Sequence, residues 1–288
     1  MRWRTKSQIQ RFCSSVPGGR HVNYALQRFV THSLPRPPEA MDEVVTTAER
    51  HLGAVKRHLK RPIDRLRFFE FGAGWDLATP LAMAALGVRH QTLYDLFPVA
   101  RTRLIFRAVA DLRARGLDLP KVEAGTSQEN YLASLGIRYV APGDARHTGL
   151  ADGSIDVAVS TSVLEHVDEI DVAAISTEVL RLLAPGGICS FAIDYHDHYA
   201  GSDASIDGLN FLRFDDREWN RWNCSMQFQN RLRHLDYVAL FRSAGFELVD
   251  VQAVVDPSFP AEPQVAARFA GRSDLAVGDG WFVLRRPS

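Results

Sequence analysis

The chain has little cysteine, no surplus of either charge and no long apolar run. Its three cysteines, Cys13, Cys189 and Cys224, are scattered over 288 residues and form no CxxC pair. That excludes a disulfide-stapled scaffold and a cysteine-built metal site, and it points to a reducing compartment. Lys and Arg together number 34, as do Asp and Glu, so the formal charge is zero. A dedicated nucleic-acid binder or a polybasic membrane anchor would carry an excess of cations. No uninterrupted apolar run approaches the roughly 20 residues of a membrane-spanning helix. The basic start Met1-Arg2-Trp3-Arg4-Thr5-Lys6 leads into Ser7-Gln8-Ile9-Gln10-Arg11, which is no signal-peptide core. Internal repeats and low-complexity tracts are missing as well. A cytoplasmic protein with no membrane span and no nucleic-acid partner is expected.

What is there is ordinary globular material, 46% hydrophobic and 24% charged, enough for one large domain with an appendage. Residues 1–62 read as a helical N-terminal extension, either a packing element or a lid. Its candidate helices are Asn23–Val30 and Glu39–Leu59, separated by Pro35-Arg36-Pro37-Pro38, which cannot continue a helix. From Leu66 onward short apolar runs alternate with helical stretches, the signature of an α/β fold around a parallel sheet. The expected strands are Arg67–Phe71, Thr92–Tyr94, Tyr139–Val140, Ile155–Ser160, Ile188–Ile193, Glu247–Val255 and Trp281–Arg285. Between them Leu77–Leu86, Ala100–Arg115, Asp171–Leu183 and Tyr237–Ala244 read as helices. Two long gaps, Leu117–Ile137 and His196–Asp236, break the rhythm.

The first strand runs Phe68-Phe69-Glu70-Phe71 into Gly72-Ala73-Gly74-Trp75-Asp76. Glycine there permits a sharp turn and lets a ligand approach backbone N–H groups. Thr79-Pro80 reads as a helix cap with proline in the first turn, and Gly87 as the stop. Asp95 follows Gly72 by 23 residues, at the end of the second apolar run. A carboxylate at that place can accept both hydroxyls of a ribose lying across the sheet edge. A dinucleotide fingerprint would put its third glycine at position 77, where the chain has Leu77. A nicotinamide-dependent oxidoreductase is therefore the weaker reading. A binding module without turnover is the non-enzymatic alternative.

With Glu70 two residues before Gly72, the chain resembles class I S-adenosylmethionine-dependent methyltransferases, in particular the methyltransferase type 11 group. The family's first motif is (Asp/Glu)-x-Gly-x-Gly-x-Gly; Glu70, Gly72 and Gly74 match it and Asp76 replaces its last glycine. Pro142-Gly143-Asp144-Ala145 resembles the loop that reads adenine, and Asp152–Ser160 with Thr161–Val167 resembles the fourth strand and the turn after it. Leu180–Gly187 is similar to the turn opening the fifth strand, and Leu240–Phe246 to the last helix. The resemblance implies a doubly wound, mostly parallel seven-stranded sheet over 63–288, with a substrate-covering insertion at about 196–236. It also implies that Glu70, Gly72, Ala73, Gly74, Asp95, Leu96, Asp144, Ala145 and Ser160 hold S-adenosyl-L-methionine.

Methyl transfer demands positioning, exclusion of water and, for a hydroxyl acceptor, a base. The fifth strand ends in Ile193-Asp194-Tyr195-His196-Asp197-His198-Tyr199. His196 or His198 could take a proton, with Asp194 or Asp197 orienting the ring; His166 is a further candidate. The paired histidines and carboxylates could also suit a metal, although no metal ligand is assigned. Tyr195, Trp222, Arg231 and Arg233 are the expected substrate contacts, the arginines as a clamp on a carboxylate or phosphate. The expectation is methyl transfer to an oxygen of a small molecule, such as a sugar, sugar nucleotide or biosynthetic intermediate. A homo-oligomer is compatible with all of this.

Overall fold

A computed structural model describes residues 1–15 and 34–288. The expected helix Asn23–Val30 lies outside the described residues. The first strand, β1 (Arg67–Phe71), is buried on both faces from Phe68 to Phe71. Phe68 therefore enters the core on one side of the sheet, while Phe69 and Phe71 enter the core on the other. The remaining strands are β2 (His90–Tyr94), β3 (Ile137–Val140), β4 (Ile155–Thr161), β5 (Leu183–Asp194), β6 (Glu247–Val255) and β7 (Val277–Arg285). They form one seven-stranded sheet in the order β3-β2-β1-β4-β5-β7-β6. The pairings from β3 to β5 are parallel, and β7 runs antiparallel to both β5 and β6. The sheet is thus mostly parallel, as expected, with one reversed strand.

Helices cover both faces. On the first lie α2 (Pro38–His58), α3 (Ala78–Ala85), α4 (Thr102–Ala114) and α5 (Gln128–Ser134). The second carries α6 (Glu169–Leu182) and α8 (His234–Ser243). α5 fills the gap after Leu117 that the sequence pattern left without an element; its cap is Ser127, which accepts from the Asn130 N–H. α2 docks through His51, fully buried between Ser190 Oγ (2.8 Å) and Thr161 Oγ1 (3.0 Å). Burial drives its pKa down to about 3, so the ring is neutral.

A third cluster of apolar side chains lies in the insertion. Tyr199, Leu209, Phe211, Leu212 and Trp219, the last on the short α7 (Asp216–Trp219), pack around Trp3 of α1 (Trp3–Ser15). α1 is tied there by Trp3 N–H to Asp203 Oδ2 (2.8 Å), Ser7 Oγ to the Trp222 carbonyl (2.7 Å) and Gln10 Nε2 to Gln227 Oε1 (2.9 Å). The two described helices of the N-terminal segment therefore have different places. α1 belongs with the insertion, whereas α2 packs on the sheet. Among the described residues no helix is long and apolar enough to cross a membrane.

One carboxylate anchors the opposite end of the sheet. Asp156 accepts from Arg61 Nη1 (2.8 Å), Arg67 Nε (3.0 Å) and the Arg67 N–H (2.9 Å). These donors outweigh its burial and hold its pKa at about 2, below the ordinary 3.8. A depressed carboxylate stabilises the fold above its unfolded pKa, and that contribution disappears as pH falls through the folded value. We expect the melting temperature to fall between pH 4 and 2, and Asp156→Asn to flatten that limb while lowering stability at pH 7. Equal acid slopes in the two proteins would contradict this.

Candidate active site

The strand order reverses between β1 and β4, since β2 and β3 lie to one side of β1 and β4 and β5 to the other. At such a switch point the loops leaving the carboxyl ends diverge and open a crevice. A cleft of about 240 Å³ lies there, and Phe71, Gly72, Asp95, Leu96, Phe97, Gly143, Asp144, Ala145 and Val163 are among the residues that line it. Gly72 is required by space as well as backbone. Its φ is +76°, and a Cβ would sit 2.4 Å from a Val163 methyl carbon. A Cβ on Gly74 would meet nothing within 4 Å, so the turn faces open space.

Asp95 lies at the centre of this edge. Tyr139 Oη donates to its Oδ2 at 2.9 Å, and the N–H groups of Ala73 and Gly74 donate as well, tying β2 and β3 to the glycine turn. Burial nevertheless raises its pKa to about 6. Asp95 does not cap α4, which starts seven residues on at Thr102. Beneath the turn, Glu70 is buried and its Oε2 has no hydrogen-bond partner among the described residues. Burial and the nearby Asp95 raise its pKa to about 8. A buried acid with an unused oxygen, next to an open glycine turn, suits the cationic end of an S-adenosylmethionine. The residues present fit that group.

The departure at Asp76 has a local explanation. The left-handed positions of the loop are Gly72, Gly74 and Leu77 (φ +51°), and Asp76 is not one of them, so position 76 needs no glycine. Asp76 instead accepts the Ala78 N–H (3.3 Å) at the start of α3 and pairs with Arg36 (2.8 Å). The cap is therefore not Thr79. Asp144 is clasped by Arg146, whose Nη2 lies 2.7 Å from Oδ2, and Arg146 reaches on to Asp171 (2.8 Å). Ser160 is buried behind β1 and does not line the cleft.

A second cleft of about 690 Å³ opens at the end of β5, lined by residues that include Asp194, His196, Asp197, His198, Asp207 and Ser258. The histidines here differ sharply. His196 is held at both nitrogens, Nδ1 to Asp194 (2.6 Å) and Nε2 to Asp256 (2.7 Å). The Asp194 bond is the main reason its pKa rises to about 9. A ring already protonated at neutral pH with no free nitrogen is not a base, which corrects its expected role. His198 has one nitrogen, Nε2, on Asp194 (3.2 Å). His166 has Nδ1 on the Phe228 carbonyl (2.7 Å), and burial pushes its pKa down to about 4. The two rings meet edge to face, 4.7 Å between centroids.

The segment 228–231 crosses between these groups and holds them. Gln229 Oε1 accepts the His198 N–H (3.0 Å) and its Nε2 donates to the His196 carbonyl (2.8 Å). Asn230 Nδ2 donates to the carbonyls of Leu164 and Val167 (both 2.8 Å), on either side of the turn that carries Glu165 and His166. Sequence reading noticed this run for its arginines, yet the amides do the positioning.

The expected substrate contacts fall elsewhere. Arg231 is buried and donates to the carbonyls of Phe211 (3.0 Å) and Phe214 (2.7 Å) and to Asp216. Arg233 is fully buried among three backbone carbonyls. Neither side chain lines either of these two clefts, because both are spent on backbone carbonyls of the insertion and of the strands it joins. Tyr195 is a core residue whose hydroxyl meets His234 Nδ1 (3.2 Å), and Trp222 packs edge-on against Trp3 (5.3 Å).

Residues 100–191 match the family model described as a methyltransferase domain. No curated protein matches the chain in sequence. Among solved structures, a protein of Pyrococcus horikoshii OT3 is 12% identical over 92% of this chain and 99% of its own, with a TM-score of 0.51. A protein of Galdieria sulphuraria described as a candidate sarcosine dimethylglycine methyltransferase is 15% identical over 84% of this chain and 86% of its own, with a TM-score of 0.50. Identities this low speak for the fold. In its central segment by sequence, and across the sheet by fold, the chain resembles the class I S-adenosylmethionine-dependent methyltransferases.

Proposed function

We propose that the chain transfers a methyl group from S-adenosylmethionine to an oxygen of a small, hydroxylated, non-anionic acceptor. The observation that carries this reading is the pair of clefts along one sheet edge. One has the buried acids Glu70 and Asp95 beside its glycine turn, and the other has His198 backed by Asp194. S-adenosylmethionine supplies an activated methyl on a sulfonium, so the protein must position, exclude water and receive a proton.

Asp95 accepts the ribose hydroxyls, Gly72 and Gly74 admit the ligand to the turn, and Leu96 and Ala145 flank the base. Proton acceptance falls to His198 and His166, each of which has one nitrogen occupied and the other available. The second cleft is lined by Asp194, Asp197 and Asp207; its described lining residues include no arginine or lysine, and the one cation among them, His196, is already paired with Asp194 and Asp256. A sugar or polyol suits such a surface better than a phosphate-bearing molecule.

Formation of S-adenosylhomocysteine is to be measured with neutral sugars and polyols against their phosphorylated counterparts. Turnover with a neutral acceptor, lowered roughly 100-fold in His198→Ala, supports the reading. Turnover confined to phosphorylated acceptors overturns the acceptor assignment. Glu70 gives a separate prediction. Because its pKa lies near 8 it is largely protonated at pH 7, and a cationic ligand favours the ionised form. Cofactor binding at pH 7 should release a proton, seen as a buffer-dependent binding enthalpy, and Glu70→Gln should abolish that release.

A further inference from the structure

Glu165 stands between the two clefts with no side chain paired to its carboxylate. It lies in the single turn Leu164–His166 and is buried, 4% exposed; among the described residues no side chain bonds either oxygen, and only the backbone N–H groups of Glu165 and Asp194 approach them. An isolated buried carboxylate is costly and is found paired, protonated or on a metal. Its neighbours are His166 and His198. One oxygen of Glu165 and one ring nitrogen of each histidine lie within 4.8 Å of one another.

The hydrogen bonds set the tautomers. A carbonyl can only accept, so His166 donates from Nδ1 to Phe228 and keeps its lone pair on Nε2. His198 donates from Nε2 to Asp194 and keeps its lone pair on Nδ1. Each imidazole therefore has an oxygen behind one nitrogen and a lone pair on the other, the arrangement that orients histidine ligands on a metal. Gln229 and Asn230 brace the two backbones that carry them. We infer that Glu165, His166 and His198 form a site for a zinc-class divalent cation, with two histidines and one carboxylate as protein ligands and a position left open.

A cation at about 2.1 Å from each donor needs donors about 3.4 Å apart for tetrahedral geometry, so small side-chain rotations suffice. The other cluster of possible ligands among the described residues, Asp194, His196 and Asp279, is unsuited because both His196 nitrogens are already spent on carboxylates.

Cation binding itself stands on these residues alone; its consequence rests on the proposed acceptor reading. With the cation bound, His166 and His198 serve as ligands and no longer as bases, so the cation takes over that role: it would lower the pKa of an acceptor hydroxyl, whose proton leaves to solvent. The oxygen then forms its bond to the methyl carbon as the carbon–sulfur bond breaks and the pair stays on sulfur.

The full chain, stripped with chelator, is to be titrated with Zn²⁺ by calorimetry and with Co²⁺ by visible absorption. One equivalent should bind, with a tetrahedral Co²⁺ spectrum, and Glu165→Gln and His166→Ala should each weaken it roughly 100-fold. S-adenosylmethionine binding by the stripped protein and by Glu165→Gln should be unchanged. Absence of a saturable equivalent, or binding that survives both substitutions, overturns the site. So does binding lost in His196→Ala but kept in Glu165→Gln. If His166→Ala fails to fold, the near-isosteric Glu165→Gln decides. Zn²⁺ binding without any S-adenosylmethionine binding would sink the proposed function and leave the metal site standing.

Discussion

Asp95→Ala should weaken S-adenosylmethionine binding by two to three orders of magnitude. Hydrogen bonds to a charged acceptor contribute about 1.5–3 kcal/mol each, and two ribose hydroxyls are expected on this carboxylate. The sum is about 3–6 kcal/mol; water taking the place of the carboxylate recovers part of it, so a loss of about 3–4 kcal/mol is expected, at 1.4 kcal/mol per tenfold change. A second effect adds to it. Asp95 also accepts from Tyr139 Oη and from the Ala73 and Gly74 N–H groups, so its removal loosens the glycine turn. Tyr139→Phe separates the two contributions, because it removes one donor to Asp95 and leaves the carboxylate in place; a loss under tenfold is expected. The pH dependence has a definite sign. With a pKa raised to about 6, Asp95 is charged at pH 7.5 and largely neutral at pH 5, so affinity should fall as the solution is acidified through 6. Calorimetry with S-adenosylmethionine, S-adenosylhomocysteine and NAD as competitor tests all three points. Binding by Asp95→Ala within threefold of the parent, or displacement by NAD, would refute the assignment.

The turn and cleft at the end of β1 were legible because local rules decide them. A strand that ends in Gly72-Ala73-Gly74 must turn there, and the end of the next strand places Asp95 beside that turn. Gly72, Asp95, Leu96, Asp144 and Ala145 duly line one cleft. The cleft at the end of β5 was much less legible. Sequence puts His196 and His198 two apart on one strand end, but which of them has a free nitrogen depends on Asp256, sixty residues away. Arg231 and Arg233 suggested an anion clamp by composition. Their donors go to backbone carbonyls that only the folded insertion brings near. The sequence places Glu165 only as the neighbour of His166 in the turn after the fourth strand; its burial, and the lack of a side-chain partner that follows, arise from packing against β5 and the 228–231 segment.

Arg233 gives the largest stability effect that the structure predicts. Its Nη1 donates to the Tyr195 carbonyl (2.6 Å), and Nη2 donates to those of Leu275 (3.1 Å) and Val277 (2.5 Å). One guanidinium thus ties the end of β5 to the start of β7 and to the base of the insertion. Burial lowers its pKa to about 10, which leaves it charged at neutral pH. Arg233→Ala strands three buried carbonyls without a donor, and each costs about 1–3 kcal/mol. Some relaxation is expected, so the net loss should be about 3–5 kcal/mol. The melting temperature should fall by on the order of 10 °C. Arg233→Met restores the volume but not the donors and should recover less than half of the loss. A substrate clamp would behave in the opposite way, with an unchanged melting temperature and a raised KM. Should Arg233→Ala melt within about 2 °C of the parent, the three carbonyls have another source of hydrogen bonds, and the arginine would return as a candidate for binding an acceptor.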